Sequence, residues 1–242
     1  MILPNNRKLT KEVVSSSIPI LFFGDLDGYK KSKSLRVVTV GLNPSHMEFS
    51  GNNPLKRFPQ MKGREHRPFN KVYVNSLCQY FHRENYHWFN KYEDVLNGMG
   101  ASYHLGNRNI ALHTDLCSPL ATKKSWRDLD SNTKKELKRT GLHLWEGLMG
   151  YLEPQLILAQ IGYREHLQKF GTKESWKTVL VPSRIVGKRN EFRLLRRRFK
   201  AHVSTIVHWK PIRQTYGKPF ADLTPPQRKR VGKFIRQQIC SA

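Results

Sequence analysis

Three short segments hold the residues best suited to chemistry: Asn43 in GLNPS (41–45), Asp115 in HTDLCSPL (113–120) and His208 in HWKPI (208–212). An amide is a poor base, so Asn43 would act by positioning a reactant. An ionised carboxylate only accepts hydrogen bonds, whereas an imidazole both donates and accepts. The same survey excludes other chemistries. No clustered Asp/Glu set suits two metal ions. Cys78, Cys117 and Cys240 lie far apart, with no Cys/His spacing of a zinc site. No glycine-rich phosphate loop follows the first apolar run. We therefore expect no metal and no cofactor.

The elements that must position these residues follow from periodicity. LRVVTVGLNP (35–44), NIALHTDLCSPLA (109–121), PQLILAQIG (154–162) and STIVHWKP (204–211) are apolar runs stopped by turn residues, as buried parallel strands are. TVLVPS (178–183) is a candidate short strand. FNKVYVNSLCQYF (69–81) has helical spacing, and 133–154 predicts an amphipathic helix with Leu137, Leu144, Leu148 and Tyr151 on one face, ending at Pro154. In KRNEFRLLRRRFK (188–200), Phe192, Leu195 and Phe199 fall on one side of a helix, with Arg193, Arg196 and Arg197 around it. LTPPQRKRVGKFIRQQI (223–239) closes as a basic helix. Alternating strands and helices predict an α/β fold: a three-layer α/β/α sandwich with a central, mostly parallel four-stranded sheet. Residues 1–34 read as a lead-in and 35–239 as the core of one domain. Ligands of such sheets bind outside the carboxyl ends of the strands. There Asn43, Asp115 and His208 would converge on one cleft.

The chain has 242 residues, 43 Lys plus Arg against 18 Asp plus Glu, and a formal net charge of +25. Basic residues spread along the chain among 12 Phe, 9 Tyr and 5 Trp argue for a polyanionic partner. IPILFF (18–23) is too short for a signal core or membrane span. The unpaired cysteine count suits reduced thiols. We expect a cytoplasmic monomer without membrane contact.

Taken in order, GLNPS, HTDLCSPL and HWKPIRQTYGKPFADLT (208–224) resemble the signatures of the uracil-DNA glycosylase superfamily over roughly residues 35 to 239. The resemblance implies a monofunctional, hydrolytic DNA glycosylase that flips a base out of the stack. On it, Asn43 holds the attacking water and His208 donates a hydrogen bond to O2 of the departing base. Asp115 reads the base edge, Ile212 fills the hole left by the base, and Ser45 and Ser118 contact phosphate. Phe58, fifteen residues after Asn43, is the aromatic platform, with Phe69 and Phe49 as alternatives. Lys210, Arg213, Arg193, Arg196 and Arg197 would bind DNA.

Two departures bear on the substrate. Ser45 stands where uracil-specific members carry a Tyr that blocks base C5, which opens the pocket. Asp115 stands where the family usually has Asn; an ionised carboxylate suits the amino group of cytosine and repels O4 of uracil. Thr114 or His113 could face the base instead. The target implied is a 5-substituted cytosine, hydroxymethylated or glucosylated as in some phage DNA. A uracil or mismatched-thymine repair glycosylase is the rival enzyme. A non-catalytic nucleic-acid-binding protein is the rival from another class.

Overall fold

A computed structural model describes residues 11–64, 70–83, 87–104, 106, 108–187, 190–210 and 219–240. The first strand, β1 (Val37–Gly41), is buried along its whole length. So are β2 (Ala111–Asp115) and β3 (Leu156–Ala159). Burial on both faces explains why their sequences are apolar runs rather than alternations. Three further strands, β4 (Lys177–Val181), β5 (Asn190–Phe199) and β6 (His202–Trp209), complete a six-stranded sheet in the order β2-β1-β3-β6-β5-β4. β2, β1, β3 and β6 run parallel, and β5 and β4 pair antiparallel beyond them.

The sheet is thus mixed and six-stranded, not the expected four-stranded, mostly parallel one. The difference arises in the basic run expected to be a helix, where residues 190–199 form β5 instead. Phe192, Leu195 and Phe199 have helix-like spacing. In the β5–β6 register, however, Phe192 lies on one face and Leu195 and Phe199 on the other. A strand covered on both faces can bury apolar residues at any spacing. A tight turn joins β5 to β6 through Lys200, whose φ is 51°.

Six helices of the described residues surround the sheet: α1 (Leu26–Lys30), α2 (Lys71–Cys78), α3 (Asn90–Met99), α4 (Ser131–Leu152), α5 (Ser183–Val186) and α6 (Pro225–Cys240). α4 starts at Asp130, whose carboxylate accepts from the amides of Asn132 and Thr133. It packs on one sheet face, where the Trp145 indole donates to Thr114 Oγ1 at 3.1 Å. The buried positions of α4 include Leu137, Gly141, Trp145 and Met149, while Tyr151, expected on the apolar face, is 56 % exposed. α3 and α6 cover the other face, Tyr92 OH donating to the Val40 carbonyl and Phe234 meeting the Phe192 ring. The segment before β1 is part of this core. Ile18, Ile20, Phe22 and Phe23 are buried, and Phe23 exchanges backbone hydrogen bonds with His113 along the outer edge of β2.

α3 and α6 cross at two glycines. A Cβ on Gly98 would strike the Lys229 carbonyl, and one on Gly232 the Val95 carbonyl, both backbone atoms that cannot swing away. Gly232→Ala is expected to lower stability by about 1–3 kcal/mol. Gly147→Ala, on α4 with nothing near its Cβ position, is expected to raise it by about 0.5–1 kcal/mol. Urea unfolding of both variants checks the pair; equal effects would mean the crossing is not tight.

Candidate functional site

The carboxyl ends of β1 and β2 lie side by side, Gly41 paired with Asp115. Beyond them the backbone stays zipped, with the amides of Cys117 and Ser118 donating to the Leu42 carbonyl. Asn43 emerges at this point. Its Nδ2 donates to Thr122 Oγ1 at 2.9 Å and to the Pro44 carbonyl at 3.1 Å. Thr122 spends its own proton on the Lys124 carbonyl at 2.8 Å, so it receives from Asn43. A carbonyl only accepts, which fixes the amide's orientation. Asn43 Oδ1 is left without a partner among the described residues, half-buried and able to accept from a water.

Asp115 and His113 face the α3 side of the sheet together, with His113 Nε2 3.8 Å from Asp115 Oδ1. Burial pushes the Asp115 carboxyl above the usual carboxylate range, opposed by His113. A second buried carboxyl, Glu48, sits in the short 3-10 turn His46–Phe49 just after GLNPS. Tyr80 OH donates to its Oε2 at 2.7 Å and Arg57 Nε stands 3.6 Å away. Burial outweighs both and, with a smaller push from the Asp115 charge, raises Glu48 to about 7. On the α4 side, a cavity of about 10 Å³ borders Asp115 and is lined by Ile20, Leu21, Pro119, Gly141, Leu144 and Trp145. That is room for about one water.

His208 is not brought to this place. In the register it shares a face with Arg193, the α4 face, whereas Asp115 lies on the other. β1 and β3 separate their strands, a span of roughly 14 Å. His208 stacks on Tyr163 at 5.6 Å, and the Arg193 guanidinium lies 4.0 Å over the same Tyr163 ring. Burial lowers its imidazole to about 4, opposed by the Ala159 carbonyl and helped by the Arg193 charge. His208 Nδ1 lies 3.1 Å from that carbonyl and must donate to it. At neutral pH the ring's one proton is then on Nδ1, and Nε2 accepts. The expected donor to a base O2 is absent from this geometry.

Other expectations are relocated as well. Phe58 is fully buried, its ring between Phe49 at 5.6 Å and Tyr80 at 5.7 Å, both near-parallel, so no face is open to a base. The alternative Phe49 belongs to the same stack. Ser45 Oγ accepts from the Met47 amide and caps the 3-10 turn. Ser118 is buried and its Oγ accepts from the Leu120 amide at 3.0 Å. Both serines serve turns rather than an open phosphate site. Arg197 donates to Glu146 and the Phe170 carbonyl and is part of the packing. Arg196 is exposed, but β5 runs away from the site end, which puts it about 10 Å further from that end than Arg193. Lys210 pairs with Glu191 at 2.8 Å. Ile212, Arg213 and Phe69 lie outside the described residues.

Sequence reasoning missed Glu48 and Thr122. Nothing in HMEF marks Glu48 for burial, because Tyr80 and Arg57 come from elsewhere in the chain. Thr39, within VVTV, does carry a signal: a hydroxyl in a buried strand needs a partner. Among the described residues no group of three or more His, Cys, Asp or Glu is placed to hold a metal ion, and no helix is long and apolar enough to cross a membrane. No protein-family model, no curated protein and no solved structure matches the chain.

Proposed function

We propose that the protein is a monofunctional DNA glycosylase that flips out a 5-substituted cytosine and hydrolyses its N-glycosidic bond, leaving an abasic site. The observation that carries this is the Asn43 amide, clamped through Nδ2 with Oδ1 unpartnered among the described residues, at the strand ends beside a buried carboxyl. Asn43 Oδ1 accepts from the attacking water and orients its lone pair towards C1′. Asp115, held towards its protonated form, donates to cytosine N3 and accepts from the N4 amino group. As the C1′–N1 bond breaks, the electron pair goes to the base and the Asp115 proton neutralises it. The water oxygen bonds to C1′ and its surplus proton leaves to solvent. The net charge of +25 supplies attraction to the phosphate backbone. The Lys210 ammonium is engaged by Glu191, in keeping with hydrolysis rather than a covalent sugar intermediate. Because the Asp115 carboxyl is buried, base entry opens the site, at a cost drawn from DNA contacts.

A protonated carboxyl can also accept from N3–H and donate to O4, so protonation of Asp115 weakens its discrimination against uracil. The C5 selectivity rests on the small Ser45. The placement of His208 away from Asp115 and the closed stack around Phe58 favour one second reading, a nucleic-acid binder without catalysis.

The test is base release from duplexes carrying uracil, mismatched thymine, cytosine, 5-hydroxymethylcytosine or its glucosylated form, with abasic sites read by alkaline cleavage. Release of a modified cytosine is expected. Release of uracil alone would keep the glycosylase and discard the cytosine assignment. DNA binding without any release would favour the non-catalytic binder.

A further inference from the structure

His113 is 2 % exposed and enclosed by rings, with Phe89 at 5.0 Å, Trp88 at 5.2 Å, Phe23 at 5.8 Å and Tyr92 at 6.0 Å. Its Nδ1 stands 2.7 Å from Thr39 Oγ1, which in turn meets Tyr103 OH at 2.5 Å. Burial keeps the Tyr103 phenol protonated, and Thr39 Oγ1 is the acceptor within its reach among the described residues, so Tyr103 donates to Thr39. Thr39 has one proton; the Leu112 carbonyl at 3.4 Å is a far poorer acceptor than Nδ1. Nδ1 therefore accepts, which puts a ring proton on Nε2, the atom turned to Asp115. Gly41 keeps this approach open: a Cβ there would lie 2.5 Å from Asp115 Oδ1 and 3.1 Å from His113 Nε2.

We propose that His113 is a positioning residue for Asp115: the Tyr103–Thr39–His113 chain aims Nε2–H at Oδ1, 3.8 Å away, which sets the acid proton on Oδ2, the oxygen that donates to the ligand, while Oδ1 keeps a second lone pair to accept from it. What Oδ2 meets, a cytosine edge, rests on the glycosylase function proposed above; the positioning does not. The groups that bear on Asp115 are His113 on its own strand, Glu48 after β1 with its neighbour Arg57, and Tyr92 on α3.

The experiment is a carbon-13 NMR titration of the Asp115 carboxyl in the full chain, its signal assigned by its loss in Asp115→Asn. Wild type is compared with His113→Leu, His113→Gln and Thr39→Val. His113→Leu removes the donor and is expected to raise the Asp115 midpoint by about one pH unit, tenfold in proton affinity. Thr39→Val, which frees the imidazole to turn its proton elsewhere, raises it less. His113→Gln restores an N–H and brings the midpoint back. A purely structural histidine would leave the midpoint unmoved, and the same midpoint in wild type, His113→Leu and Thr39→Val overturns the proposal. Should His113→Leu fail to fold, the nearly isosteric Thr39→Val decides. Base release is followed in parallel. A moved midpoint supports the positioning role even where wild type releases no base, which would sink the glycosylase function alone.

Discussion

Asn43→Ala is expected to reduce base release by roughly 10²–10³-fold while DNA affinity stays unchanged, the scale of losing one positioned group at a reacting centre. The alanine removes the amide oxygen proposed to hold the water. Thr122→Val separates positioning from mere presence. It keeps the amide but removes one of its two anchors, so Oδ1 is correctly aimed for only part of the time. A loss of about fivefold is expected, in line with one hydrogen bond of about 1 kcal/mol. Single-turnover rates at saturating enzyme measure both variants without interference from binding. An Asn43→Ala protein that keeps its full rate would remove Asn43 from the chemistry, and with it the observation on which the proposed function stands.

The strand ends were legible because turn residues interrupt apolar runs there: GLNPS after VVTV, and HTDLCSP after IAL. Those patterns are local, and they placed Asn43 and Asp115 at neighbouring ends of parallel strands. What failed was non-local. The donor direction of His208 depends on the Ala159 carbonyl, 49 residues away in sequence. Which face His208 takes depends on register, and one step in a strand reverses it. Phe58 sits at the expected interval after Asn43, yet Tyr80 closes one of its faces from a distant helix-like turn. The basic run at 190–199 imitates helical spacing because a strand packed on both sides does not need alternation. Composition revealed the charge but not its placement. Arg197 is spent on Glu146 and Phe170, while Arg196 lies well along β5 from the site end.

Glu48→Gln is expected to stabilise the protein at pH 8 by up to about 3 kcal/mol and to leave it nearly unchanged at pH 5. Burial raises Glu48 from an ordinary value of 4.5 to about 7. Between those values the folded protein holds a proton that the unfolded chain has released. Stability therefore falls as pH rises through that window and levels off above it. The buried Asp115 carboxyl, also raised, adds to the fall in the same direction. Glutamine stays neutral throughout and still accepts from Tyr80 OH, so only the cost of the buried charge is removed. Arg57 opposes the gain by losing an ionised partner above pH 7, but it stands 3.6 Å away and has not prevented the upward shift. Urea midpoints measured from pH 5 to 8.5 should converge at the acid end and separate at the alkaline end. Parallel curves would mean that Glu48 titrates as an ordinary surface carboxylate, and that the end of the sheet is wetter than its packing implies.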